Sequence, residues 1–135
     1  MNEQFFRRLV GFAAISGAIG VIIGAFGAHS LKSRIPPESM EVLKTGVQYL
    51  FIHALACVLI GVLARTVNGD RMLKFSGMSF IAGIILFSGS LFILSTKDVT
   101  GIDISAIGLV TPLGGLCFMA GWICLATWGI RTYKK

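Results

Sequence analysis

The chain has 135 residues, of which 55% are hydrophobic and 13% charged, with 17 glycines besides and a mean hydropathy of +0.83. That length suits a single domain; a disordered chain would need far more charge, and a soluble globule could not cover its surface with so little. The net charge of +6 would point to nucleic acid in a soluble protein, whereas in a membrane protein it reports on the loops.

The charges divide the chain into four apolar stretches, approximately 9–28, 45–64, 75–96 and 104–130. Each reaches the ~20 residues that a helix needs to cross a hydrocarbon core of ~30 Å. A transmembrane barrel is excluded, since it requires alternating segments of ~10 residues. The expected fold is all-α: one membrane domain over residues 1–135, built as an integral membrane four-helix bundle.

Arg7 and Arg8 precede the first span in the manner of a signal peptide. The apolar stretch is longer than the usual ~7–15 residues, however, and no clean Ala-x-Ala site follows, so the span is expected to be retained. Gly17, Gly20, Gly24 and Gly27 fall at 3-4-3 spacing and predict a packing stripe on one helix face. His29 stands at the end of this span. Pro36-Pro37 with Glu38 and Glu41 reads as the start of a helix that runs without interruption into the second span. There Thr45, Tyr49, His53 and Cys57 recur every fourth residue, with Gln48 beside them, and predict a polar stripe. Counted from Thr45, His53 lies about 12 Å below the outer end.

Asn68-Gly69-Asp70 predicts a turn between spans two and three. Span three carries Ser79-x-x-x-Gly83, a small-residue packing pattern. Its Phe87-Ser88-Gly89-Ser90 has only a superficial likeness to a nucleophile elbow, being mid-span without a strand before it. Lys97 to Asp103, with Gly101, reads as a short loop. In span four, Thr111-Pro112 followed by Gly114-Gly115 predicts a kink or local unwinding. Gly114 and Gly121 add further sites of close helix approach.

Basic residues predict the orientation. Arg7, Arg8, Arg65, Arg71, Lys74, Arg131, Lys134 and Lys135 fall on one side, against Lys32, Arg34, Lys44 and Lys97 on the other. Both termini are therefore expected in the cytoplasm. The positive excess reads as topology, and no nucleic-acid partner is expected. All six acids, Glu3, Glu38, Glu41, Asp70, Asp98 and Asp103, lie outside the spans or at their ends. A four-helix proton-coupled exporter of this size is expected to carry a membrane-buried carboxylate, and the lack of one counts against transport.

The candidate chemistry is thus a polar cluster in the outer half of the bundle: His29, Gln48, Tyr49, His53, Ser88, Ser90 and Thr111. One reading is interhelical hydrogen bonding, the common use of such groups in membranes. The other is a small-molecule, metal or haem site, since imidazole and thiolate are good ligands. No recognised metal spacing is present, and Cys57, Cys117 and Cys124 form no Cys-x-x-Cys pair. No metal, cofactor or catalytic residue is assigned.

Four stretches carry a resemblance: Gly24-Ala25-Phe26-Gly27-Ala28-His29; Thr45-Gly46-Val47-Gln48-Tyr49 with His53-Ala54-Leu55-Ala56; Leu86-Phe87-Ser88-Gly89-Ser90-Leu91; and Thr111-Pro112-Leu113-Gly114-Gly115 with Gly121-Trp122. In this order they resemble the domain of unknown function 423 family, the YgdD/YwdK group of small bacterial membrane proteins. The resemblance implies a four-span protein of the cytoplasmic membrane and supplies no reaction, substrate or cofactor.

The leading functional reading is a non-enzymatic structural or accessory membrane protein. Its partners are the lipid bilayer and, because glycine stripes can pack within or between chains, a homo-oligomer or larger membrane complex. The alternative is a ligand-binding protein using the polar cluster, and a small transporter stands third.

Overall fold

A computed structural model of the chain describes residues 3–67, 70–102 and 106–133. The expected turn at Asn68-Gly69, Asp103, the expected fourth-span start at Ile104, and Lys134 and Lys135 lie outside the described residues. Span one is helix α1 (Glu3–Phe26), which passes directly into a π-turn (Gly27–Leu31). Helix α2 (Pro37–Thr66) is span two. Span three is α3 (Arg71–Gly83), a second π-turn (Ile84–Ser88) and α4 (Gly89–Ser95). A short helix α5 (Lys97–Thr100) and a 3-10 turn (Ile107–Leu109) precede α6 (Val110–Tyr133), which forms most of span four.

The helix ends follow local chemistry. Pro37 opens α2 with Glu38 in its first turn, where a missing N–H costs nothing and a carboxylate meets the positive end. Asp70 caps α3, its side chain accepting the Met72 N–H at 2.6 Å. Gly101 takes φ +68 and its N–H bonds back to Lys97 O at 2.9 Å, closing α5 with the left-handed residue that glycine supplies cheaply. Ser39 at the start of α2 donates to Asp98 of α5 at 3.4 Å.

Four helical runs are long and apolar enough to cross a bilayer, the shortest being the 25 residues of Arg71–Ser95, about 38 Å at 1.5 Å per residue. Consecutive spans are antiparallel. Gly61 meets Val10, Gly20 meets Phe51, and Gly24 meets Val47 between α1 and α2. Between α2 and span three, Gly46 meets Phe92 and His53 meets Phe80. One end of the bundle therefore carries Glu3, Thr66, Arg71 and Tyr133 and is called the terminal end; the other is the loop end.

Helix α2 is the most buried span and lies against span three, with α1 and α6 at opposite corners. Phe6, Leu9, Ile60, Leu73 and Phe80 fill the core. Ile15, Ile22, Leu55, Val62, Ile85, Leu109 and Ile123 are each more than half exposed. Such a surface suits lipid, which is as apolar as these side chains. Apolar burial therefore drives little helix association, and close packing and hydrogen bonds carry it instead.

Two sequence expectations need correcting. Pro112 does not interrupt α6: it sits in the first turn, where its absent N–H has no partner to lose, and α6 then runs unbroken to Tyr133. Span four departs from the α-helix just ahead of it, in the 3-10 turn, and spans one and three do so in the two π-turns. The glycine stripe of α1 is also shorter than its spacing predicts. A Cβ on Gly20 would stand 2.9 Å from Leu50 and one on Gly27 2.5 Å from Leu43, and Gly24 makes ordinary contact with Val47, but Gly17 has open space. At 100° per residue a 3-4-3 pattern drifts by about 80° over ten residues, which turns Gly17 away from α2.

Candidate functional site

The site grows from the seam between span three and α6. Phe80, Gly83, Phe87 and Ser90 run 3-4-3 along one, and Thr111, Gly114, Phe118 and Gly121 run 3-4-3 along the other. The helices being antiparallel, Phe80 meets Gly121, Gly83 meets Phe118, Phe87 meets Gly114 and Ser90 meets Thr111. Each phenylalanine lies where the facing helix has no Cβ. Added Cβ atoms would stand 2.5 Å from Phe80 at Gly121 and 2.8 Å from the Phe87 Cα at Gly114, the latter contact involving backbone. This closest approach falls inside the π-turn that contains Phe87.

Gly83 lets the Phe118 ring lie across span three, and Phe118 in turn forms a wall for α2. His53, 3% exposed, stacks on Phe118 with centroids 3.5 Å apart and planes 8° apart. Phe80 at 5.4 Å, Tyr49 at 5.8 Å and Trp122 at 6.0 Å complete the surroundings. Backbones of α2 and α6 stay apart, and these rings bridge them. Since α2 begins at Pro37, His53 lies about 24 Å along it, near the middle of the helix.

The histidine's hydrogen bonds define its state. Nδ1 lies 2.7 Å from Tyr49 O, a carbonyl that can only accept, so Nδ1 carries the proton. Trp122 Nε1–H, which can only donate, lies 3.1 Å from Nε2, so Nε2 is the bare acceptor. His53 is thereby a neutral imidazole with both nitrogens occupied. Chemistry at Nε2, whether metal ligation or proton abstraction, requires first breaking the Trp122 bond.

Other polar groups are held in similar interhelical bonds. Ser90 Oγ donates to Phe87 O at 2.8 Å, which leaves Thr111 as the donor in the 2.7 Å Thr111–Ser90 contact. Ser76 Oγ donates to Gly121 O at 2.7 Å. Ser88 is fully buried, and its hydroxyl has no partner among the described residues.

The candidate cluster is thus distributed over several places. His53, Tyr49 and, through the ring wall, Phe87 and Phe118 come together. Ser90 and Thr111 form a pair one layer toward the loop end. His29 lies exposed in the first π-turn, remote from His53. Gln48 is exposed and lines a separate groove, while Thr45, also exposed, donates to Glu41 O at 2.9 Å. Every-fourth spacing drifts by about 40° per step, so the stripe from Thr45 to Cys57 winds from the exposed to the buried side of α2. Among the described residues no three of His, Cys, Asp and Glu converge as metal ligands. Cys57 is buried, and Cys117 and Cys124 are half-buried free thiols.

Sequence reasoning did not place Trp122, Phe118 or Phe80 at the site. Their signal was present as two 3-4-3 runs in opposite phase, with a phenylalanine in one matching a glycine in the other.

Comparison with known proteins agrees with this architecture. The family model described as "Protein of unknown function (DUF423)" matches residues 23–115. The chain is 41% identical to UPF0382 membrane protein YwdK of Bacillus subtilis, over 87% of this chain and 92% of that protein. It is 35% identical to UPF0382 inner membrane protein YgdD of Escherichia coli K12, over 96% and 94%. A UPF0382 membrane protein of Staphylococcus haemolyticus is 36% identical over 90% and 91%. No solved structure matches the chain. Four apolar spans, a glycine-set aromatic seam and relatives aligned along nearly their whole length make this chain a member of the DUF423 family of multi-pass integral membrane proteins.

Proposed function

We propose that the protein is a non-enzymatic structural or accessory component of the cytoplasmic membrane. The observation that supports this most is the saturation of His53. This buried imidazole spends one nitrogen on its own helix and the other on Trp122 of α6, so it joins helices instead of facing a substrate. The expected result of His53→Ala is weaker helix association, with an unchanged absorbance spectrum and metal content of the gently solubilised protein. A stoichiometric chromophore or metal that disappears in His53→Ala would overturn the reading.

The proposal includes the orientation, with both termini cytoplasmic. Arg7, Arg8, Arg65, Arg71, Lys74 and Arg131 gather at the terminal end, against Lys32, Arg34, Lys44 and Lys97 at the loop end. The Escherichia coli relative is named an inner membrane protein. In a background without native cysteines, Ser33→Cys, exposed at the loop end, and Tyr133→Cys should label from opposite sides of the membrane. Labelling from the same side refutes the topology.

A small-molecule binder has a separate observation in its favour. A largely apolar groove of about 240 Å³ lies between the loop end of span one and α2, floored by Gly24 and Gly27 and bordered by Lys44 and Gln48. Gly24→Leu, where an added Cβ makes only ordinary contact with Val47 at 3.8 Å, would fill it, and an amphiphile that stabilises the wild type but not this variant would favour that reading.

A further inference from the structure

We propose that the groove between span one and span three at the terminal end holds an anionic phospholipid, with its phosphate between Arg8, Arg71 and Lys74. Helices α1 and α3 run parallel here and meet where Gly77 admits Leu9 and Phe5. Lys74 Nζ stands 5.6 Å over the Phe5 ring, which draws that cation to the seam of the two helices. Arg8 follows Phe5 by one helical turn and Arg71 precedes Lys74 by one, so three exposed cations border a single groove.

Among the described side chains these three cations face one nearby acid, Asp70, whose carboxylate caps α3 by accepting the Met72 N–H and offsets one of the three charges, leaving a net positive cluster. Among the described residues the ion pair present is Lys44–Glu41, at the opposite end of the bundle. Like charges held this close repel one another unless an anion lies among them, and a phosphodiester presents oxygens that Arg can grip in bidentate fashion.

The surface leading away from the three cations fits acyl chains, which favours a lipid over a free phosphate. On span three, Phe75, Met78 and Ile85 are each more than half exposed. On span one, Ile15 and Ile22 are exposed to a similar degree. Both apolar tracks run from the cations toward the middle of the membrane, while contacts between α1 and span three beyond Gly77 are sparse. A headgroup anchored at the terminal end would thus have its chains beside two lipid-facing helices.

The test is native mass spectrometry of the full-length protein in detergent, titrated with phosphatidylglycerol or with phosphatidylcholine of the same chains. The wild type should retain phosphatidylglycerol preferentially. Arg71→Gln with Lys74→Gln should weaken that binding about 30-fold, with helical circular dichroism and unfolding midpoint unchanged. Lys32→Gln with Arg34→Gln at the loop end should leave it intact. Equal retention of both lipids, or equal loss in both double variants, would overturn the proposal. Displacement of the lipid by millimolar inorganic phosphate would overturn the part assigned to the acyl chains.

Discussion

Replacing Trp122 by Phe removes the donor at 3.1 Å from His53 Nε2 while keeping an aromatic ring in α6. Trp122 is 43% exposed, and lipid solvates the ring about as well as protein does, so little apolar transfer energy is lost. Interhelical hydrogen bonds in membranes average ~0.6 kcal/mol and reach ~1.7. An acceptor left unpaired among rings costs about 1–3 kcal/mol. The expected destabilisation is therefore about 1.5 kcal/mol, read from reversible unfolding in mixed detergent micelles. His53→Phe preserves a ring to stack on Phe118, so the pair of variants forms a double-mutant cycle with an expected coupling of about 1 kcal/mol. Nitrogen-15 NMR of labelled histidine should place the proton on Nδ1 in the wild type. The reasoning fails if Trp122→Phe costs as much in the His53→Phe background as alone. It fails equally if the proton is found on Nε2.

Gly114→Ala, whose Cβ would meet Phe87 backbone, should cost about 3 kcal/mol in the same unfolding assay because a helix and not a side chain must give way. Gly115→Ala, 3.9 Å from Phe87, and Gly17→Ala, with nothing within 4 Å, should be neutral or mildly stabilising. Ser88→Ala should stabilise by about 1 kcal/mol, since it removes a buried hydroxyl without a partner; a loss of stability would reveal a bound water or another acceptor. Thr111→Val should cost about 0.6 kcal/mol, and that cost should vanish in a Ser90→Ala background if the 2.7 Å pair carries it.

The extent to which the sequence disclosed this site varies residue by residue. Gly83, Gly114 and Gly121 stood out because only a missing Cβ makes close approach possible, and the structure has them facing Phe118, Phe87 and Phe80. His53 stood out as an ionisable residue within an apolar span. Its partner Trp122 did not, because a tryptophan in a membrane helix is equally at home facing lipid. Gln48 and His29 looked like companions of His53 by depth alone, but the exposure of both and the winding of the stripe keep them away from it. Ser88 and Ser90 are two residues apart and differ in fate, one unpartnered and one in a bond with Thr111.

By itself the sequence determined the solvent, the number of spans and their alternating direction, because a bilayer core admits about 20 uncharged residues per crossing and the loops between them are short. Which faces meet was decided only in three dimensions. Lipid rewards every apolar face alike, so hydropathy carries no signal for the helix–helix seam; steric fit between Phe and Gly sets it. The same holds for His53: composition put an imidazole in the membrane, Tyr49 O on its own helix places the proton on Nδ1, and only the approach of α6 brings Trp122 to occupy Nε2 and keep it neutral.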